Sequence, residues 1–309
     1  MTFSANLLTD IQQIWHLEFM QHAFEAGTVI AIVAGIMGYF VVLRRSAFVA
    51  HAFSEIGFAG AAGAVLVDVA PIWGLLLGSI SGGFAIAALG RRVTNRDTQI
   101  GIVLAFALGL GLLFIRLYPG YANESYSILF GEIVGISWGG VLQTLFFGLV
   151  ILAGISLIYR PLLFASLDED VAEAKGMPMV FLGMVFMLLV AVAVSIAVQM
   201  VGVLLIFSLM VTPAATAQYL AKRPQRAIMI SVLIALAATW SGLFIGFYEP
   251  YPVSFFITSI AFVAYLAVRA WDWKSPKRIK PGGVPKTGFQ KSRSSKADRQ
   301  TTSLGSRSS

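Results

Sequence analysis

"GIMGYFVVLRRSAFVAHAFSEIGFAGAAGAV", residues 35–65, holds the end of one apolar block and most of a second, separated by an Arg-Arg-Ser turn. Extended to its polar borders, each block is about 20 residues long, which is what an α-helix needs to cross the ~30 Å hydrocarbon core of a bilayer. Comparable blocks stand at about 23–43, 48–67, 71–90, 98–118, 139–159, 179–198, 201–220, 227–247 and 253–271. They are continuously apolar and do not alternate, so a membrane barrel is excluded. Composition agrees. Of 309 residues, 58% are hydrophobic and 12% charged, and the mean hydropathy is +0.82. A soluble domain carries about twice that share of charge. The expected fold is an all-α, polytopic membrane helical bundle with about eight or nine transmembrane helices.

The net charge of +7 is unevenly distributed. Residues 1–273 hold 12 Lys and Arg against 14 Asp and Glu, whereas residues 274–309 hold 10 against one, Asp298. The chain therefore divides into a membrane domain, 1–273, and a basic tail, 274–309. The tail is rich in Ser, Lys, Gly and Pro and cannot bury a core, so disorder and affinity for anionic lipid headgroups are expected of it. Without interleaved aromatics it does not fit nucleic acid. Arg44 and Arg45, then Arg91, Arg92 and Arg96, then Arg160 and Lys175, then Lys222, Arg223 and Arg226, and finally the tail fall after alternate spans. The opposite loops hold only Arg116. The positive-inside rule puts the tail in the cytoplasm and the N-terminus outside. No cysteine is present, which excludes disulfides and thiolate sites. The N-terminus shows neither the basic start nor the cleavage site of a secretory presequence.

His51 and Glu55 interrupt the second span. Their i, i+4 spacing stacks them on one helix face, with Glu55 near the midplane. A carboxylate there costs at least ~3 kcal/mol unless it faces the bundle interior, a partner or a wet path. Imidazole with carboxylate suits zinc, manganese or ferrous iron. The competing explanation is a His–Glu hydrogen bond that only fixes helix packing. The small residues after Glu55 (Gly57, Ala59, Gly60, Ala61, Ala62, Gly63, Ala64) are what close helix contact requires.

"VGVLLIFSLMVTPAATAQYL", residues 201–220, carries Pro213 inside a span, where a kink or break would free carbonyls to line a path. Ser208, Thr212 and Thr216 share one face there, as pathway-lining groups or as hydroxyls bonded back to their own helix. Glu18, His22 and Glu25 share a face at the external end of the first helix, with His16 nearby. They suggest either metal capture at a mouth or polar groups placed among lipid headgroups. "RPLLFASLDEDVAEAKGMP", residues 160–178, is the longest cytoplasmic connection. It predicts a short amphipathic helix from Asp168, with acids in its first turn and Gly176 and Pro178 ending it. Residues 119–138 form an external connection with Gly and aromatics that can dip back into the protein. No P-loop, G-x-S-x-G or H-E-x-x-H occurs, so the chain is expected not to be an enzyme and not to bind ATP itself.

Four stretches, in order over about residues 20–270, carry a resemblance to a known family: the opening stretch, "DTQIGIVLAFALGLGLLF", "YSILFGEIVGIS" and "VGVLLIFSLMVTPAATA". Together they resemble the ABC-3 family, the membrane permeases of bacterial ABC importers for zinc, manganese and ferrous iron, whose fold is similar to that of the cobalamin and siderophore importer permeases. The resemblance implies a permease homodimer in the bacterial cytoplasmic membrane, a cytoplasmic ABC ATPase dimer that hydrolyses ATP, and an extracytoplasmic metal-binding protein that delivers the cation. It implies no permanently bound cofactor; the divalent metal is cargo. Asp168, Glu169, Asp170, Glu173 and Gly176 stand where such permeases place the coupling helix. His51 and Glu55 stand where many members have Asp and then His, a pair implicated in metal passage, so this chain inverts the order. Two ligands are too few for a closed site, and a pathway site must release its ion. Two other readings compete. The same fold could carry a metal chelate such as a siderophore, or Glu55 could serve as the proton carrier of an ion-coupled secondary transporter.

Overall fold

The computed structural model describes residues 16–88, 96–118, 131, 133–249 and 251–274. Ten α-helices lie in these segments. They are α1 (Glu18–Leu43), α2 (Ala47–Leu66), α3 (Pro71–Ala88), α4 (Arg96–Leu117), α5 (Trp138–Leu167), α6 (Glu169–Ala174), α7 (Met179–Val201), α8 (Val203–Leu220), α9 (Pro224–Tyr248) and α10 (Val253–Lys274), with a single 3₁₀ turn at Ile133–Gly135 before α5. All nine apolar blocks read from the sequence are helices. Seven are long and apolar enough to cross a membrane, and Pro71–Ile86 and Leu205–Leu220 are shorter apolar segments. The chain is thus a multi-pass membrane helical bundle, with no strand among the described residues.

The helix boundaries follow local chemistry. The turn from α1 to α2 is closed by the Arg44 N–H on the Phe40 carbonyl and the Ser46 N–H on the Val41 carbonyl, with Arg45 in the left-handed region at φ 54°. Pro71 and Pro224 open α3 and α9, where a helix has no use for the missing N–H. The Ser137 hydroxyl caps α5 by accepting from the Gly140 N–H.

The innermost helices are α1 and α2. In each, 67% of the central window is buried, against 17% in α4 and 11% in α10, which form the rim. α1 packs on α9, α8, α5 and α7, and α2 packs on α3, α4, α7 and α8. With no hydrophobic drive between helices in lipid, close approach and buried hydroxyls hold such a bundle together. Both occur here. A Cβ on Gly60 would run into the Gly74 carbonyl, and one on Gly74 into the Gly60 carbonyl, so α2 and α3 touch backbone to backbone. The Ser79 hydroxyl donates to the Phe53 carbonyl at 3.0 Å, Ser195 to the Leu75 carbonyl at 3.2 Å, and Ser231 to the Gly35 carbonyl at 2.9 Å. These bonds fasten α3 to α2, α7 to α3 and α9 to α1.

Three boundaries differ from the sequence expectation. The first span begins at Glu18, five residues before the expected start, so Glu18 and His22 are continuous with it. α5 runs through Pro161 to Leu167, so the connection expected over 160–178 shrinks to 168–178. Pro161 forfeits one backbone bond, but the i−4 position is Leu157, 84% exposed, where the ring and freed carbonyl meet little packed protein. Finally, α8 continues unbroken through Pro213, and the break falls instead at Gly202, φ 86° and ψ 160°, a conformation open essentially to glycine alone. Of the external connection, Ile133 is buried beside Gly27 of α1. Residues 119–130, Arg91, Arg92 and the tail from residue 275 lie outside the described residues.

Candidate functional site

α2 is built from small and aromatic residues that pack on both sides, and this places its two ionisable residues inside the bundle. Glu55 is buried, at 4% exposure, and His51, one turn nearer Arg45, is half-buried. No hydrogen bond joins them. His51 Nδ1 and Glu55 Oε2 are both buried without a hydrogen-bond partner among the described residues. Each such atom costs ~1–3 kcal/mol if nothing satisfies it. A packing bond between the two would remove that cost, so the purely structural explanation for the pair loses its basis.

A bond within α2 and contacts from two neighbouring helices meet at this turn. The Ser54 hydroxyl donates to the His51 carbonyl at 2.7 Å, and Ser79 of α3 reaches the Phe53 carbonyl. From α8, the Phe207 ring lies edge-on to the imidazole, with centroids 5.4 Å apart at 62°. The second candidate element is therefore the neighbour of the first. Ser208, next to Phe207, is half-buried, as is Thr212; Pro213 and Thr216 are buried. Thr216 Oγ1 donates to the Thr212 carbonyl at 2.7 Å, which is a helix bonding its own backbone.

The external residues are not gathered. Glu18, Glu25 and His16 are exposed, and half-buried His22 lies against the Trp138 ring at 5.5 Å. Among the described residues no group of three or more His, Asp or Glu could hold a metal ion. Glu25 instead edges an apolar groove of about 920 Å³ between α1, α5 and α9, walled by Trp138, Trp240 and Phe244. The Trp240 Nε1–H donates to Thr28 Oγ1 at 2.9 Å.

At the end of α5, the short helix α6 has the expected form. Asp168 Oδ1 accepts from the Val171 N–H at 3.0 Å, Glu169 and Asp170 fill the first turn, and Gly176 at φ 75° ends it. Ala172 anchors it by burial, and the Lys175 ammonium sits 4.9 Å from the Phe164 ring centre. Asp168, Glu169, Asp170, Glu173 and Gly176 are all exposed.

Phe207, which meets the His51 ring, is a neighbour that the sequence did not reveal. A phenylalanine in an apolar span carries no signal that separates it from a lipid-facing one.

Known proteins match this architecture. Residues 16–271 match the ABC 3 transport family. An uncharacterised membrane protein of Cyanophora paradoxa is 33% identical over 86% of this chain and 91% of its own length. The manganese import system permease protein ScaB of Streptococcus gordonii is 30% identical over 77% of this chain and 85% of its own. In the solved structure of PsaBC from Streptococcus pneumoniae in complex with Fab, one chain superposes with a TM-score of 0.78 at 29% identity, covering 85% of this chain and 95% of that one. Family match and shared architecture coincide over almost the whole membrane bundle, and the chain belongs to the ABC 3 transport family.

Proposed function

We propose that this chain is the permease of an ABC importer whose cargo is a divalent cation, manganese ahead of zinc and ferrous iron, and that the ion passes along α2 at His51 and Glu55. The observation that carries this is the pair itself: two buried, unpartnered ligand atoms one helical turn apart in the interior of a membrane bundle. Manganese is placed first because a relative as similar as ScaB is a manganese import permease; the carboxylate and imidazole suit zinc and ferrous iron as well. A two-ligand site binds weakly enough to release its ion, with further ligands supplied by a second copy of the chain or by water. The chain is read as lying in the cytoplasmic membrane with α6 on the cytoplasmic side. There the exposed acids of α6 and Gly176 meet an ATPase subunit that hydrolyses ATP, while a binding protein delivers the ion outside.

The test is ATP-dependent uptake by proteoliposomes holding the permease with its ATPase and binding protein, offered manganese, zinc or ferrous iron as free ions and, separately, as a siderophore chelate. Uptake of a free ion, dependent on ATP, supports the proposal. Transport of the chelate alone overturns the cargo, and uptake without the ATPase overturns the ABC mechanism in favour of an ion-coupled carrier.

A further inference from the structure

We propose that Phe207 is a positioning residue for cation passage, and that its ring on α8 sets the orientation of the His51 imidazole on α2. The inference rests on the reading of His51 and Glu55 as the ion path.

Three observations lead to it. First, the edge-on contact at 5.4 Å and 62° is the one ring contact of His51 among the described residues. Its Nδ1 is buried and has no hydrogen-bond partner among the described residues. Metal-binding imidazoles are ordinarily oriented by a hydrogen bond from the second ring nitrogen. Here an aromatic edge does that work. Second, Phe207 is 38% exposed and does not belong to the buried core, so its ring is not spent on holding the fold together. Third, the segment that carries it is fixed on both sides. Five residues before it, Gly202 adopts φ 86° and sets where α8 begins. Three residues after it, α8 meets α1 so closely that a Cβ on Gly38 would run into the Met210 carbonyl. Phe207 therefore presents its ring from a segment held by the Gly202 break before it and the α1 contact after it.

The chemistry predicts a signature. Releasing the imidazole weakens the nitrogen ligand and leaves the carboxylate of Glu55 in place. Zinc, which favours imidazole, then loses more than manganese, which is content with oxygen ligands. A general packing defect would lower transport of both ions alike.

The experiment measures initial rates of zinc and manganese uptake in the full reconstituted transporter for wild type, Phe207→Ala, Phe207→Tyr and His51→Ala. For Phe207→Ala we expect KM for zinc to rise about 10-fold or more, the range seen when a group orienting a metal ligand is lost, with a smaller rise for manganese and an unchanged kcat. Phe207→Tyr, which keeps the ring, restores the wild-type values. Wild-type KM values for both ions in Phe207→Ala overturn the proposal. So does an equal loss for both ions, or a loss in kcat that Phe207→Tyr does not repair. His51→Ala keeps the two layers apart: if it transports like wild type, the ion-path reading itself has failed, whereas if it loses uptake while Phe207→Ala does not, only the role of Phe207 has.

Discussion

At the scale of single residues, the proposed path rests on one imidazole and one carboxylate a helical turn apart, Glu55 buried, His51 half-buried, and neither bonded to the other. Exchanging the order, His51→Glu together with Glu55→His, keeps that inventory. We expect the double variant to transport a divalent ion, while His51→Glu alone, which puts two carboxylates on one buried face, loses uptake. Initial uptake rates at matched protein levels decide it; a double variant as inactive as the single one would mean that order, and not composition, is what the path needs. The pair was legible in the sequence because lipid makes any ionisable side chain expensive, so its presence demands a reason. Phe207 was not legible, since an apolar residue in an apolar span costs nothing wherever it faces. The external trio shows how little spacing alone decides. Glu18, His22 and Glu25 have helical spacing, but spacing only puts residues on one face, and here that face is largely solvent-exposed, with His22 drawn to Trp138.

At the scale of elements, the bilayer made the spans legible, because a fixed thickness imposes a fixed apolar length. It says little about where a helix stops beyond the membrane. The polar Arg160 and the Pro161 that follows it suggested an end to α5, yet the helix carries on to Leu167 and hands over directly to α6 at Asp168. Pro213 misled in the same way: a proline signals a lost bond, and helix packing decides whether the helix yields. Two predictions belong here. Gly60→Leu forces apart the α2–α3 seam and should cost ~1–3 kcal/mol or more, read as a lower melting temperature in detergent. Gly109→Leu, on exposed α4 with nothing within 4 Å, should leave it unchanged. Equal effects would show that the seam is not close-packed. Asp168→Ala removes the cap of α6 and should weaken that helix by ~1 kcal/mol. We expect substrate-stimulated ATP hydrolysis to fall while the melting temperature of the bundle holds; unchanged stimulation would remove α6 from the coupling role.

At the scale of the whole molecule, the distribution of Lys and Arg predicts a direction for the bundle that the helices alone do not. The absence of cysteine makes this simple to check. A membrane-impermeant maleimide should label Asp68→Cys in intact cells and reach Lys222→Cys only after permeabilisation; the reverse pattern would invert the topology. With that direction, α2 runs from the Arg44–Arg45 turn inside to Asp68 outside, and its ionisable pair lies between the two faces. The most direct measurement is ATP-dependent manganese uptake by the reconstituted transporter carrying Glu55→Gln or His51→Ala, each variant first shown to assemble with its ATPase. Glu55→Gln keeps the shape of the side chain and removes the charge. We expect both variants to hydrolyse ATP and to take up little or no manganese. Uptake at the wild-type rate in both would contradict passage of the ion at His51 and Glu55.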